Sequence, residues 1–180
     1  MDRWLDLLNS DWHDYRGSGR REDRLDDPAW LGRYLSRWPD SLRGVPAAEV
    51  RAALKELRSV MRAIVDRLAA RKPVPGDLWV RLNAFLSACP VVRRVNRSPQ
   101  GYAVDLVPMS GGLKKVTAEI AESFGMALTG DGVSRIKVCD NKDCLWVFYD
   151  QSKNRSRRWC EGDTGCGNLM KVRRFRAKNK

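Results

Sequence analysis

Cys139-Asp-Asn-Lys-Asp-Cys144-Leu-Trp-Val-Phe-Tyr149, then Asn154-Arg-Ser-Arg-Arg-Trp-Cys160, then Gly165-Cys-Gly-Asn168 is the stretch that decides how the C-terminal part of this 180-residue chain folds. It holds four of the five cysteines, spaced C-x4-C, fifteen residues, C-x5-C. Two close pairs joined by a short insert can place four thiolates at tetrahedral corners about 2.3 Å from one Zn²⁺. Turn-forming residues close each pair, Asp140–Asp143 in the first and Glu161–Gly165 in the second. Two disulfides, or four unrelated buried thiols, are the alternative. Zinc is favoured because Leu145–Tyr149 is too short an apolar run to bury itself, and a module of about 45 residues needs a staple. A catalytic zinc keeps three protein ligands and one water, whereas four cysteines close the shell. The expected cofactor is therefore one structural Zn²⁺ on Cys139, Cys144, Cys160 and Cys166.

Working outward, Ser134–Val138 and Leu145–Tyr149 read as strands flanking a zinc knuckle. Asn168–Ala177 reads as a basic helix with Met170, Val172 and Phe175 inward. Knuckle and helix start around one metal make a treble-clef-like or ribbon arrangement. The motifs Cys139-x4-Cys144, Trp146-Val-Phe148-Tyr-Asp150-Gln-Ser152, Asn154-Arg-Ser-Arg157-Arg158-Trp159-Cys160 and Cys166-Gly-Asn168 resemble the CGNR-type zinc finger. That finger lies at the C-terminus of bacterial stress-induced transcription regulators, and the resemblance implies metal ligation by the same four cysteines. One departure is plain: Leu169 stands where the family has its name-giving arginine, so no role of that arginine carries over.

Formal charge is +12, and +8 of it falls from Arg135 onward. Four thiolates and one Zn²⁺ would reduce that to about +6. A concentrated basic module points to a polyanion, with nucleic acid ahead of membrane. No window approaches 18 apolar residues, and Met1–Gly17 has no signal-peptide core, so a cytoplasmic protein without a membrane span is expected. Five cysteines in a leaderless chain fit a reducing compartment.

Trp4–Ser10 is a short amphipathic piece, helix or strand, followed by a polar loop to Asp27. Pro28 opens a helix to Trp38. Pro46 opens the longest one, to about Lys72, whose residues Val50, Leu54, Leu57, Met61, Ile64 and Leu68 step 4-3-4-3-4. One step round lie Arg51, Lys55, Arg58 and Arg62, expected as a solvated face. Asp77 is the expected N-cap of a helix to Ala88, Val91–Val95 and Tyr102–Val107 are strands about a turn, and Leu113–Leu128 is a further helix. Cys89 reads as a buried apolar side chain and His13 as solvated. The fold class is α+β: a mainly helical N-terminal domain (1–132) with a short β-hairpin, and a small zinc module (133–180).

No catalytic motif appears, and no enzyme activity is expected. The leading function is a DNA-binding transcription regulator, with Arg155, Arg157, Arg158, Lys171, Arg173, Arg174 and Arg176 contacting double-stranded DNA. The alternatives are an RNA- or single-strand-binding protein and a zinc-supported protein-interaction module. The resemblance leaves sensing of a small-molecule effector or pairing into a homodimer to the N-terminal domain.

Overall fold

The 4-3 apolar rhythm between Val50 and Val65 builds helix α3 (Ala47–Ala69), and the helices numbered α1, α4 and α5 below lie against it. The computed structural model describes residues 3–160 and 165–179. In chain order these residues form α1 (Arg3–Leu8), β1 (Asp11–His13), β2 (Arg21–Asp23), α2 (Pro28–Leu35), α3, α4 (Gly76–Ser87), β3 (Val91–Ser98), β4 (Gly101–Pro108), α5 (Gly112–Leu128), β5 (Ile136–Val138), β6 (Val147–Tyr149) and α6 (Cys166–Lys178). The architecture is α+β. Helices supply the core, and the strands make three antiparallel hairpins, β1–β2, β3–β4 and β5–β6.

Leu54, Leu57, Val60, Met61, Ile64 and Val65 of α3 are wholly buried against Trp4 and Leu7 of α1 and Val116, Ile120 and Phe124 of α5. Each such side chain contributes about 1.5–3 kcal/mol of transfer free energy. The Trp4 and Phe124 rings lie 5.4 Å apart and tilted, which favours the pair beyond its buried area. Ile136 of β5 and Val147 of β6 join the same apolar cluster. The hairpin that carries the first cysteine pair is thus seated on the helices.

Several sequence expectations shift. The polar run before Asp27 contains a hairpin, with Asp11 opposite Asp23 and His13 opposite Arg21. Its strands are too short and too charged to show a period-2 pattern, and an Arg21–Asp11 ion pair of 2.7 Å holds them instead. His13 is half-buried, with Nε2 3.4 Å from Asp11 Oδ1. Asp27 caps α2 by accepting from the Ala29 N–H at 2.9 Å. That helix ends at Leu35, and Trp38 reaches the core from the following turn, its Nε1 donating to Glu119 at 2.7 Å. Asp77 lies inside the first turn of α4 and caps nothing.

In the row Arg51, Lys55, Arg58, Arg62, the last three are bonded within the fold rather than solvated. Lys55 bonds both oxygens of Asp26, and Arg58 bonds Asp23 in bidentate fashion and Ser10 Oγ at 2.7 Å. Arg62 donates to the Leu145 carbonyl at 2.9 Å. These cations tie α3 to the N-terminal hairpin and to the cysteine knuckle. Charge counting could not reveal it, because the carboxylates come from distant parts of the chain.

Candidate metal centre and basic cleft

The knuckle is built by β5 and β6. Cys139 follows β5 directly, and its N–H donates to the Trp146 carbonyl at 2.8 Å. Cys144 N–H donates to the Asn141 carbonyl at 2.9 Å, and Leu145 turns the chain back at φ 53°. A positive φ in a non-glycine residue is costly, and here it falls directly after Cys144. Asn141 is fully buried; its Nδ2 donates to the Tyr15 carbonyl at 2.8 Å and lies 3.5 Å from Cys166 Sγ. Cys166 opens α6, behind Gly165 in the left-handed region at φ 57°. Of the expected second turn, Glu161–Gly165, residues 161–164 lie outside the described residues.

All four cysteines are buried, and their sulfurs lie within 4.8 Å of one another, with Cys144 and Cys160 3.7 Å apart. A tetrahedron with Zn–S bonds of about 2.3 Å has edges of about 3.8 Å. The donor set and its spacing fit zinc. Alone, thiols this close cannot all ionise: the contact between Cys139 and Cys144 lowers the pKa of Cys139 and raises that of Cys144. A central dication removes that conflict and favours thiolate at every position. Phe148, Trp146, Trp159 and Tyr15 wall the cluster off. Cys89 sits apart, its thiol donating to the Ser110 carbonyl at 3.4 Å.

Beside the sulfurs, Asp150 organises the arginine loop. It is fully buried, which alone would raise its pKa. Hydrogen bonds from Lys137 (2.7 Å), the Ser152 hydroxyl and N–H (2.6 and 3.0 Å) and the Arg157 N–H (3.0 Å) outweigh burial and hold its carboxyl well below the usual range. Lys137 also donates to the carbonyls of Arg155 and Arg157. The segment from 150 to 157 is therefore clamped at its centre. Asp150 entered the sequence reading only within the finger motif and Lys137 only within a strand, although Asp-x-Ser is a turn signal.

The expected nucleic-acid residues fall into two groups. Arg155 pairs with Asp131 and donates to Ser134 Oγ at 2.9 Å, and Arg158 pairs with Asp140 at 2.6 Å. The Arg157 guanidinium lies 5.1 Å over the Phe148 ring. These three line a cleft of about 1010 Å³ together with Lys137 and with Arg71 and Lys72, which follow α3. Arg71 and Lys72 were missed because the sequence puts them some 80 residues from the loop they face. On α6, Lys171, Arg174 and Arg176 are exposed and form no ion pair among the described residues. Arg173 instead pairs with Asp143 at 2.8 Å and donates to the Arg16 carbonyl at 2.7 Å. The inward face expected for α6 is also corrected: Val172 is 45% and Phe175 69% exposed, and neither joins an apolar cluster among the described residues.

A family model for the CGNR zinc finger matches residues 135–179, and one described as "Putative stress-induced transcription regulator" (ABATE) matches residues 2–131. No curated protein matches the chain. No helix among the described residues is long and apolar enough to cross a membrane.

Proposed function

This chain belongs to the ABATE family of transcription regulators and carries a CGNR zinc finger, and from that premise we propose that it is a cytoplasmic, sequence-reading regulator that grips double-stranded DNA with its zinc module. The observation that carries the reading is a pair of cationic surfaces to which the zinc module contributes. One is the cleft where Arg71 and Lys72 face Lys137, Arg155, Arg157 and Arg158; the other is the outer face of α6 with Lys171, Arg174 and Arg176. Phosphate contacts from such surfaces set affinity and register, and exposed arginines can then reach base edges. One structural Zn²⁺ on Cys139, Cys144, Cys160 and Cys166 would hold the knuckle and the start of α6 in fixed relation. Each residue named serves binding, and none serves catalysis.

The single-strand reading is supported by Phe175, which stands exposed between Arg174 and Arg176 as a stacking platform would. Binding of the zinc-loaded chain to duplex DNA, single-stranded DNA and RNA over a salt series separates the two. Tightest, salt-dependent binding to duplex is the expected result. Preference for single strands, abolished by Phe175→Ala, would overturn it, and no binding to any of the three would leave the module a docking platform for protein.

A further inference from the structure

Cross-strand partners share one face of a hairpin, so Val91, Arg93, Val95 and Arg97 of β3 lie beside Pro108, Leu106, Val104 and Tyr102 of β4. That face is uncovered. Val91 is 51%, Val95 68%, Val104 64%, Leu106 56% and Tyr102 81% exposed. A lone two-stranded hairpin is marginal in water, and an apolar one is an association site. At its foot, Val91, Leu106 and Pro108 meet Ala118 and Met126 of α5 around an open groove of about 700 Å³. Met126 is itself 66% exposed. Hairpin face and groove share Val91, Leu106 and Pro108, and Arg3, Lys115, Glu119 and Glu122 also line the groove.

We propose that this surface is a homodimer interface, covered in solution by the same surface of a second copy of the chain. Area supports a protein occupant: the exposed parts of these six side chains sum to on the order of 600 Å², close to the roughly 800 Å² per partner of a stable interface and at the top of what monomers leave bare. Charge supports a second copy. Arg93 and Arg97 on the hairpin make no ion pair among the described residues, and neither does Glu122 at the groove. A two-fold axis gives each copy's arginines a carboxylate to meet and each copy's apolar strand a groove to cover. A polyanion would leave the valines, Leu106 and Tyr102 without a partner, so this face is separate from the nucleic-acid surfaces and does not rest on them.

The test is the mass of the zinc-loaded full chain by sedimentation equilibrium across a wide concentration range. Twice 20.5 kDa is expected, and Val95→Asp/Val104→Asp should run at 20.5 kDa with an unchanged helical signal and metal content. Should those aspartates unravel the hairpin, Arg93→Glu/Arg97→Glu keeps every apolar side chain and should weaken the dimer about tenfold. A wild type that stays at one chain mass would overturn the proposal. So would a dimer indifferent to both variants. A one-chain wild type that co-sediments with anionic vesicles would give the face to a membrane surface and equally overturn it.

Discussion

Asn9 shows how much one polar side chain can decide. It is buried, its amide donates to the Val147 carbonyl at 2.9 Å and its oxygen accepts from the Val147 N–H at 2.9 Å. The side chain thus imitates a neighbouring strand and satisfies a peptide of β6 that water cannot reach. Asn9→Ala leaves both groups unpaired and should cost about 2–3 kcal/mol, read as a lower urea midpoint with an unchanged slope. Asp23 is the matching case for charge. Burial would raise its pKa, but bonds and charge from Arg58 and then Lys55 hold it at about 2, against 3.8 unperturbed. Its folded pKa is the lower one, so the unfolded chain takes up the proton first as pH falls. The contribution is complete above about pH 4 and is lost between about 4 and 2. Asp23→Asn should flatten acid unfolding in that window by about 1–2 kcal/mol, after allowance for a partly exposed pair. Unchanged acid midpoints would show that the pair is solvated. Gly132 is fixed by space: a Cβ there would lie 2.0 Å from the Ala127 carbonyl oxygen, so no other residue fits without moving the end of α5.

At the scale of elements, α6 does two jobs with different residues. Lys171, Arg174 and Arg176 are free of ion pairs among the described residues, while Arg173 braces the helix against Asp143 and the β1–β2 loop. Lys171→Ala/Arg174→Ala/Arg176→Ala should weaken duplex binding and lower the salt slope by about 0.9 for each phosphate no longer neutralised, with Tm unchanged. Arg173→Ala should instead lower Tm slightly, as an exposed ion pair of about 0–1 kcal/mol would. A drop in Tm for the triple variant would place those side chains in the fold rather than on the ligand. The knuckle is the other decisive element. Structural zinc contributes on the order of 10–16 kcal/mol in finger peptides, so Cys160→Ser should release the metal while Cys89→Ser keeps it. Full metal content in Cys160→Ser would remove Cys160 from the ligand set.

For the whole molecule, the question is whether metal and helices report to each other. Ile136 and Val147 sit in the helical core, Arg62 bonds Leu145, and Asn141 bonds Tyr15. Chelation should therefore lower the melting of the helical signal as well as that of the module, in one transition. Two separate transitions, with the first alone sensitive to chelator, would show that the parts fold independently. A chain ending at Gly130 should keep helical circular dichroism but melt earlier, since it uncovers the α3 face on which Ile136 packs.

Sequence alone determined what rests on local spacing. Four cysteines at metal-ligand spacing, the 4-3 stripe of α3 and the two strands about a turn at β3–β4 are written in near neighbours, and their chemistry follows from period and turn geometry. The resemblance to the CGNR finger rested on the same local text. Tertiary structure decided everything that needs two distant segments at once. It turned the α3 cations from a solvated face into links to Asp23, Asp26 and Leu145. It brought Arg71 and Lys72 to the arginine loop, withdrew Arg173 into a brace, and left Val172 and Phe175 bare. The reason is physical. An apolar period says that a side chain seeks cover, and a charge says that it seeks a partner, but only the path of the chain through space supplies either one.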